Sequence, residues 1–440
     1  MTNRSEPEPS TKTTKSMNVW SVTSMGIGAM VGAGIFALLG TAAQVGGGET
    51  YVAFIIGGVI ALLSGYSYAK LATLYPEAGA ITAYFDHAFG TGRLAGTLSL
   101  IYLITLVATV AMVAKAFGAY ATPLVVGGAS RLWIDGFAST IVILLALLNI
   151  AGSRLVGKAE IVLVGIKLTI LAVLMVAGTI GMIGKPSAEH LHPSVMSLIS
   201  CVGLTFFAYA GFGTMANAAG SVPHPEKTIP RAIFLAIGVV IVLYVGLALI
   251  VLGSLSASQI AQHANTAVAV AAEPVLGHAG YIIVSIGALL ATASAVNAYI
   301  FAAMKIAVAL ARAGQLPRMF DQPIWRKGTR GLILGIGGVL LALNIFNLSA
   351  LAHIASATFL IVYLAVHVAH WRLIDKTKGY RLPVAIGFLS MAVVLAGFLW
   401  STAVAQPWSV GLIAVFIAGS WTIEVLLARR GLATGHSPRP

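Results

Sequence analysis

Apolar positions in this chain run in long blocks, and polar positions gather in short intervals between them. A helix needs roughly 20 apolar residues to cross a bilayer. Twelve blocks approach that length, near 18–45, 50–74, 92–122, 133–151, 159–183, 196–219, 229–254, 279–311, 330–346, 348–371, 383–405 and 408–428. The intervals leave no room for a soluble domain between spans. Residues 1–17 are polar and read as a disordered tail, and no cleavable signal peptide is apparent. In the connection after the seventh block, Ser256 heads a capped short helix, Ser256-Ala257-Ser258-Gln259-Ile260, on the outer surface.

Two blocks carry glycine-rich interruptions. The first is Gly32-Ala33-Gly34-Ile35-Phe36 and the second, in the sixth block, is Ala210-Gly211-Phe212-Gly213. Each glycine costs a helix about 1 kcal/mol relative to alanine, so the helix is expected to unwind there. Inside a bilayer, unwound backbone is tolerated only where it lines a cavity or is buried in protein. Interrupted helices in matching places of two halves point to a transporter's substrate site. The alternative is that the glycines serve only close helix packing. Gly32 and Gly211 stand 179 residues apart. Five blocks run from the first break through the fifth span and five more from the sixth through the tenth. An odd number of spans per unit inverts the second unit, which predicts a five-plus-five inverted repeat read from spacing and hydropathy. The expected division is 1–17 tail, 18–195 first repeat with its outer loop, 196–382 second repeat with its inner loop, 383–428 the last two spans, and 429–440 a second cytoplasmic tail.

Composition agrees. The chain has 440 residues, 58% hydrophobic and 9% charged, against about 25% charged in soluble proteins. The net charge of +13 raises the question of a nucleic-acid partner, and its distribution argues against one. With the N-terminus inside, the cytoplasmic segments hold Arg4, Lys12, Lys15, Arg93, Arg154, Lys158, Lys227, Arg231, Arg312, Arg318, Arg326, Lys327, Arg330, Arg372, Lys376, Lys378, Arg381, Arg429, Arg430 and Arg439, and the outer loops only Arg131 and Lys185. This is a positive-inside pattern that puts both termini in the cytoplasm and complements anionic lipid. Cys201 is the only cysteine, so an intrachain disulfide is impossible, and a small packing residue is the plainest reading of it.

Five segments, in order, resemble the amino acid–polyamine–organocation (APC) permease family. Gly28-Ala29-Met30-Val31-Gly32-Ala33-Gly34-Ile35-Phe36 looks like its first-helix break, and Pro76-Glu77-Ala78-Gly79-Ala80 like its segment after the second span. Phe206-Phe207-Ala208-Tyr209-Ala210-Gly211-Phe212 looks like the sixth-helix break. His224-Pro225-Glu226-Lys227-Thr228-Ile229-Pro230-Arg231-Ala232-Ile233 and Ala311-Arg312-Ala313-Gly314-Gln315-Leu316-Pro317 resemble the runs after the sixth and eighth spans. The resemblance covers about residues 17–400 and implies an all-α membrane protein of twelve transmembrane helices. It also implies a LeuT-like five-plus-five inverted repeat with discontinuous helices 1 and 6, in the cytoplasmic (inner) membrane.

It also implies roles. Backbone N–H groups at Ala33 and Gly34 would meet a substrate carboxylate, as helix N-termini do. Carbonyls of Met30, Phe207 and Ala210 would meet the ammonium, with Gly211 letting the ligand approach the backbone. Phe207 aligns with an aromatic gate over the substrate, the alternative being an ordinary core aromatic. Lys167 lies within the fifth span, where a lysine costs roughly 2.5–3.5 kcal/mol on insertion scales. Proton-coupled members place a lysine there. Burial disfavours an ammonium's charged form, so Lys167 is read as the proton-coupling group, with a permanent cation bridging the first and eighth spans, or a snorkelling lysine, as alternatives.

Other intramembrane polar groups read as supporting. Lys305 is expected to reach the cytoplasmic face, Lys115 to snorkel outward, and Glu424 to sit at the interface beside Arg429. Asn297 and Ser294 read as cross-helix hydrogen-bonding glue. His353, His367 and His370 lack metal-ligand spacing, so neither a metal nor a cofactor is expected. Some family members that handle arginine carry a glutamate where Gly213 stands. A buried cationic side chain would lack a counter-charge here, which favours a neutral amino acid. The expected function is import of neutral amino acids with protons by alternating access; the alternative is an exchanger or exporter of amino acids or amines. A receptor on the same fold typically adds a soluble signalling segment, an intramembrane enzyme would need a catalytic constellation, and ATP-driven transport would need a GxxxxGK[ST] loop. None of these is found.

Overall fold

A computed structural model describes residues 17–76, 80–128, 130–151, 156–183, 192–325 and 328–433. The tail expected over 1–16, the chain beyond 433, Glu77–Gly79 of the second motif, and Arg4, Lys12, Lys15, Arg154, Lys185, Arg326, Lys327 and Arg439 lie outside the described residues, as do the side chains of Lys158, Arg429 and Arg430.

The described chain is helical almost throughout. In order the helices are α1 (Val19–Ala33), α2 (Ile35–Gly46), α3 (Thr50–Leu74), α4 (Ala80–Phe89), α5 (Arg93–Val126), α6 (Arg131–Ala151), α7 (Val156–Met182), α8 (Val195–Tyr209) and α9 (Gly213–Ala216). They continue with α10 (Pro225–Ser254), α11 (Ala257–Gln262), α12 (Ala267–Arg312), α13 (Arg330–Ile345), α14 (Leu348–Arg372), α15 (Ile374–Thr377), α16 (Arg381–Ala405) and α17 (Pro407–Ala433). Among the described residues, 10 helical runs are long and apolar enough to cross a membrane, one of them formed by α2 and α3 together. Two further apolar helices of the expected twelve blocks, α1 and α13, are shorter, at 15 and 16 residues.

Local chemistry sets many helix starts. Asn18 caps α1 by accepting from the Ser21 N–H at 2.9 Å, and Asn347 caps α14 through the Ala350 N–H at 2.8 Å. Pro225 stands in the first turn of α10, where its missing N–H is harmless. Ser256 caps α11 as expected and forms a reciprocal capping box with Gln259. Three features escaped the hydropathy pattern. The short helix α4 and the small antiparallel hairpin β1 (Pro323–Trp325) with β2 (Gly328–Thr329) fall in polar intervals. The helix expected from 279 begins at Ala267 and bends at Gly277, whose φ of 70° suits glycine.

Burial divides the bundle into a centre and a rim. α1 packs on α10, α12 and the turn over Ala210–Phe212, while α5 packs on α12, α6 and α14. Nearly all of α1 beyond Met25 is buried, as are most residues of α5, α8 and α14. The rim helices turn large apolar side chains outward, among them Leu144 and Leu147 of α6, Val162 and Val176 of α7, Leu389 and Trp400 of α16, and Val415 of α17. Apolar cover of that extent suits lipid, and the protein is an integral membrane protein.

Candidate functional site

Both glycine-rich interruptions depart from regular α-helix, the second only as a 3₁₀ turn, and they touch. α1 ends at Ala33 and α2 begins at Ile35, with Gly34 between them at φ −84°, ψ −81°. α8 ends at Tyr209 and passes through a tight 3₁₀ turn, Ala210–Phe212, into α9. A Cβ on Gly211 would run into the backbone of Ala29 and Met30, so the second break lies directly on the first. A Cβ on Gly34 would run into the Tyr244 hydroxyl and the carbonyls of Ala208 and Met30. Both positions therefore need glycine for close approach. Met30, Ala33, Phe207 and Ala210 are all buried around this contact.

The backbone groups at the breaks are engaged from within the protein. The Gly34 N–H donates to Met30 O at 2.7 Å, closing the last turn of α1. The N–H that opens α2 thus belongs to Ile35, one residue beyond the pair expected from sequence. Tyr244, on α10, donates to Met30 O at 2.7 Å and is also within 3.2 Å of Ala208 O, so one hydroxyl spans both broken helices. Tyr363, on α14, donates to Ala210 O at 2.7 Å. The Phe207 carbonyl accepts from the Ala210 N–H. Each of the three carbonyls expected to face an ammonium therefore already has a donor, as buried polar groups require.

Aromatic rings close the surroundings. Phe207 is buried with its ring 5.1 Å from Phe359, edge to face. Tyr363 sits among Tyr68, Phe206 and Phe212 at 5.0, 5.4 and 5.3 Å between centroids. Tyr209 donates to Phe54 O at 2.9 Å. Sequence reasoning missed Tyr244 and Tyr363. Their only local signal is a hydroxyl in an otherwise apolar helix, and the carbonyls they serve lie 214 and 153 residues away in sequence.

Lys167 is fully buried on α7. Its Nζ donates to Gly28 O at 3.1 Å and lies 3.5 Å from Ser294 Oγ, so it ties α7 to α1 and to α12. Snorkelling is overturned, because the head group is bonded inside the bundle two residues before Met30. Ser294 and Asn297 do bond across helices, the latter accepting from Asn149 of α6 at 2.7 Å.

One expectation for a charged group needs correction. Lys115 does not snorkel; it is 4% exposed and pairs with Asp135 of α6 at 2.6 Å, a partner that hydropathy alone cannot identify. Glu424 is 7% exposed, and its carboxylate packs on Gly96 in the first turn of α5, where the missing side chain makes room. Lys305 lies over the Phe301 ring at 4.4 Å. Cys201 is buried, its thiol donating to Ala42 O at 3.3 Å.

Comparison with known proteins places this geometry in context. A family profile described as amino acid permease matches residues 17–426. The chain is 44% identical over 416 residues to the inner membrane transport protein YbaT of Escherichia coli, covering 94% of this chain and 96% of that protein. It is 26% identical over 397 residues to a methylthioribose transporter of Bacillus subtilis, covering 84% of each. It is also 25% identical over 414 residues to the serine/threonine exchanger SteT of the same organism, covering 89% of this chain and 92% of that protein.

Proposed function

The chain belongs to the amino acid permease family, and from that premise we propose that it is a secondary active transporter carrying neutral amino acids into the cell with protons. It would work by alternating access across the cytoplasmic membrane, with twelve spans and both termini cytoplasmic. In this reading α1–α7 and α8–α14 hold the two inverted repeats of a LeuT-like fold, and α16 and α17 follow them. The substrate sits where the breaks meet. Its carboxylate takes the N–H that opens α2 just past Ala33 and Gly34, its ammonium the carbonyls of Met30, Phe207 and Ala210, and Gly211 admits it against the backbone. Phe207 closes over it.

The observation that carries the proton-coupled reading is the position of Lys167. A buried ammonium bonded to Gly28 O, on the same helix as Met30, can report its charge state to the first break. When Lys167 loses its proton, the Gly28 carbonyl loses a charge-assisted donor, and α1 is free to shift against α7 and α12. Tyr244 and Tyr363 hold the same carbonyls an ammonium would take. Substrate entry would exchange those hydroxyls for a cationic donor, which makes a stronger bond.

The test is thermal stabilisation of the purified protein by the standard amino acids, by amines and by decarboxylated analogues, at acid and neutral pH. A ligand that binds only the folded state raises stability by mass action. The expected result is a shift with neutral L-amino acids that disappears when the carboxylate is removed. A shift with amines alone would overturn the proposal. The relative named as an exchanger favours a second reading, obligatory exchange. Uptake into liposomes that requires preloading with amino acid would decide for it.

A further inference from the structure

A chain of buried hydroxyls and imidazoles joins α3, α14 and α15, away from both breaks. Ser64 Oγ lies 3.1 Å from His367 Nε2, and Ser67 Oγ lies 3.3 Å from His367 Nδ1. Ser67 Oγ is also 3.0 Å from His370 Nδ1, and His370 Nε2 is 3.1 Å from Thr377 Oγ1. All four ring nitrogens thus have hydroxyl partners, and all five residues are buried. The rings are walled by absent side chains: a Cβ on Gly387 of α16 would run into His367, and one on Gly379 would crowd His370 Nε2.

Hydrogen counting allows the chain two concerted orientations. In one orientation the Thr377 hydroxyl donates to Ile374 O at 3.0 Å and accepts from His370 Nε2–H. The bare Nδ1 then accepts from Ser67. Ser67, its one hydrogen committed, accepts from His367 Nδ1–H, and His367 Nε2 accepts from Ser64. Every bond then points from Ser64 toward Thr377; because Ile374 O also accepts from the Gly379 N–H, Thr377 can instead donate to His370 Nε2, and every bond reverses. One end lies beside exposed Lys376 and Lys378. At the other, Ser64 lies one helical turn from Tyr68, and His367 one turn from Tyr363, whose hydroxyl bonds the second break. The titratable groups facing the rings are Tyr66, 5.7 Å from the His370 ring, and Lys70, beside His370, both on α3; Gly387 is the contact from α16.

We propose that Ser64, His367, Ser67, His370 and Thr377 form a proton relay between the second break and the cytoplasmic face. This inference rests on the proton-coupled reading above. A proton arriving at Ser64 Oγ sends that hydroxyl's hydrogen to His367 Nε2. The His367 Nδ1 hydrogen passes to Ser67, the Ser67 hydrogen to His370 Nδ1, and the His370 Nε2 hydrogen to Thr377. The Thr377 hydroxyl turns from Ile374 O, and its original hydrogen leaves to water at the cytoplasmic end. One proton enters and one departs, and no other reactant is needed. The orientation that runs from Ser64 toward Thr377 is the one that release to the cytoplasm, and hence import with protons, requires.

The deciding variant is Ser67→Ala, which removes the hydroxyl between the rings and little else. The protein is reconstituted in liposomes with a pH dye inside and given a mixture of neutral L-amino acids. Wild type is expected to acidify the lumen as it accumulates them. In the variant, gradient-driven accumulation and acidification should fall by about 10²-fold, the scale of a lost proton-transfer group. Exchange of labelled for unlabelled amino acid at equal pH should stay within about twofold. Unchanged acidification overturns the relay and leaves proton coupling standing. An equal fall in exchange overturns it in favour of a structural clamp. A wild type that moves no protons removes the proton-coupled reading and the relay with it. Independently of any variant, ¹⁵N-histidine spectra of the whole protein should show His370 protonated on Nε2 and His367 on Nδ1; the opposite tautomers would overturn the assigned polarity.

Discussion

At the residue scale, the weight of the proposal falls on Gly34 and Lys167. A methyl group at Gly34 must push against two backbone carbonyls and a tyrosine hydroxyl, none of which can yield without moving a helix. Gly34→Ala should cost about 1–3 kcal/mol of stability, as overpacking does, and should abolish stabilisation by neutral amino acids. Gly165→Ala is the control, since its added Cβ meets open space; a thermal melt of both variants with and without ligand checks the contrast. Lys167→Ala removes the ammonium donor to Gly28 O, a charge-assisted bond of about 1.5–3 kcal/mol. Uptake should persist only as exchange, with its dependence on external pH gone. Proton-driven accumulation at the wild-type level would reject the assignment. Lys167 was legible because a charge within an apolar block stands out in sequence. Tyr244 was not, because one hydroxyl in an apolar helix carries no mark of the carbonyls it will meet.

At the element scale, broken helices are held by neighbours that are far away in sequence. Tyr244 bridges α1 and α8, the two halves of the proposed site. If its hydroxyl competes with a substrate ammonium for Met30 O, Tyr244→Phe should destabilise the ligand-free protein by about 1–3 kcal/mol. The same change should tighten amino acid binding, because the competing state is weakened. Melting temperature and ligand titration on one sample test both signs. The Lys115–Asp135 pair between α5 and α6 offers a second test. Asp135→Asn, which leaves a buried ammonium without its counter-charge, should cost about 3–5 kcal/mol. Replacing both partners by leucine should recover most of that loss in denaturation measurements. The breaks themselves were visible as glycine clusters. Their depth was not: the first is a single residue, because the Gly34 N–H still closes the α1 turn onto Met30.

At the scale of the whole molecule, the proposed orientation predicts which end of the bundle faces the cytoplasm. With Cys201 replaced by serine, single cysteines at Ser258 of α11 and Lys376 of α15 provide opposite reporters. A membrane-impermeant maleimide added to intact cells should label Ser258→Cys, and Lys376→Cys only after permeabilisation; the reverse pattern would invert the topology. The sequence by itself determined that this is a helical membrane protein, approximately where its helices run, and where two of them break. Those properties follow from hydropathy, glycine and charge, each of which acts over one or two helical turns of local chain. Only the tertiary structure decided that the breaks lie on each other, that Lys115 has Asp135 beside it and Glu424 is buried on Gly96, and that Ser64, His367, Ser67, His370 and Thr377 share one hydrogen-bonded chain. Those contacts join helices up to 303 residues apart. They depend on which faces pack together, and the hydrophobic pattern of a fully apolar helix does not specify a face.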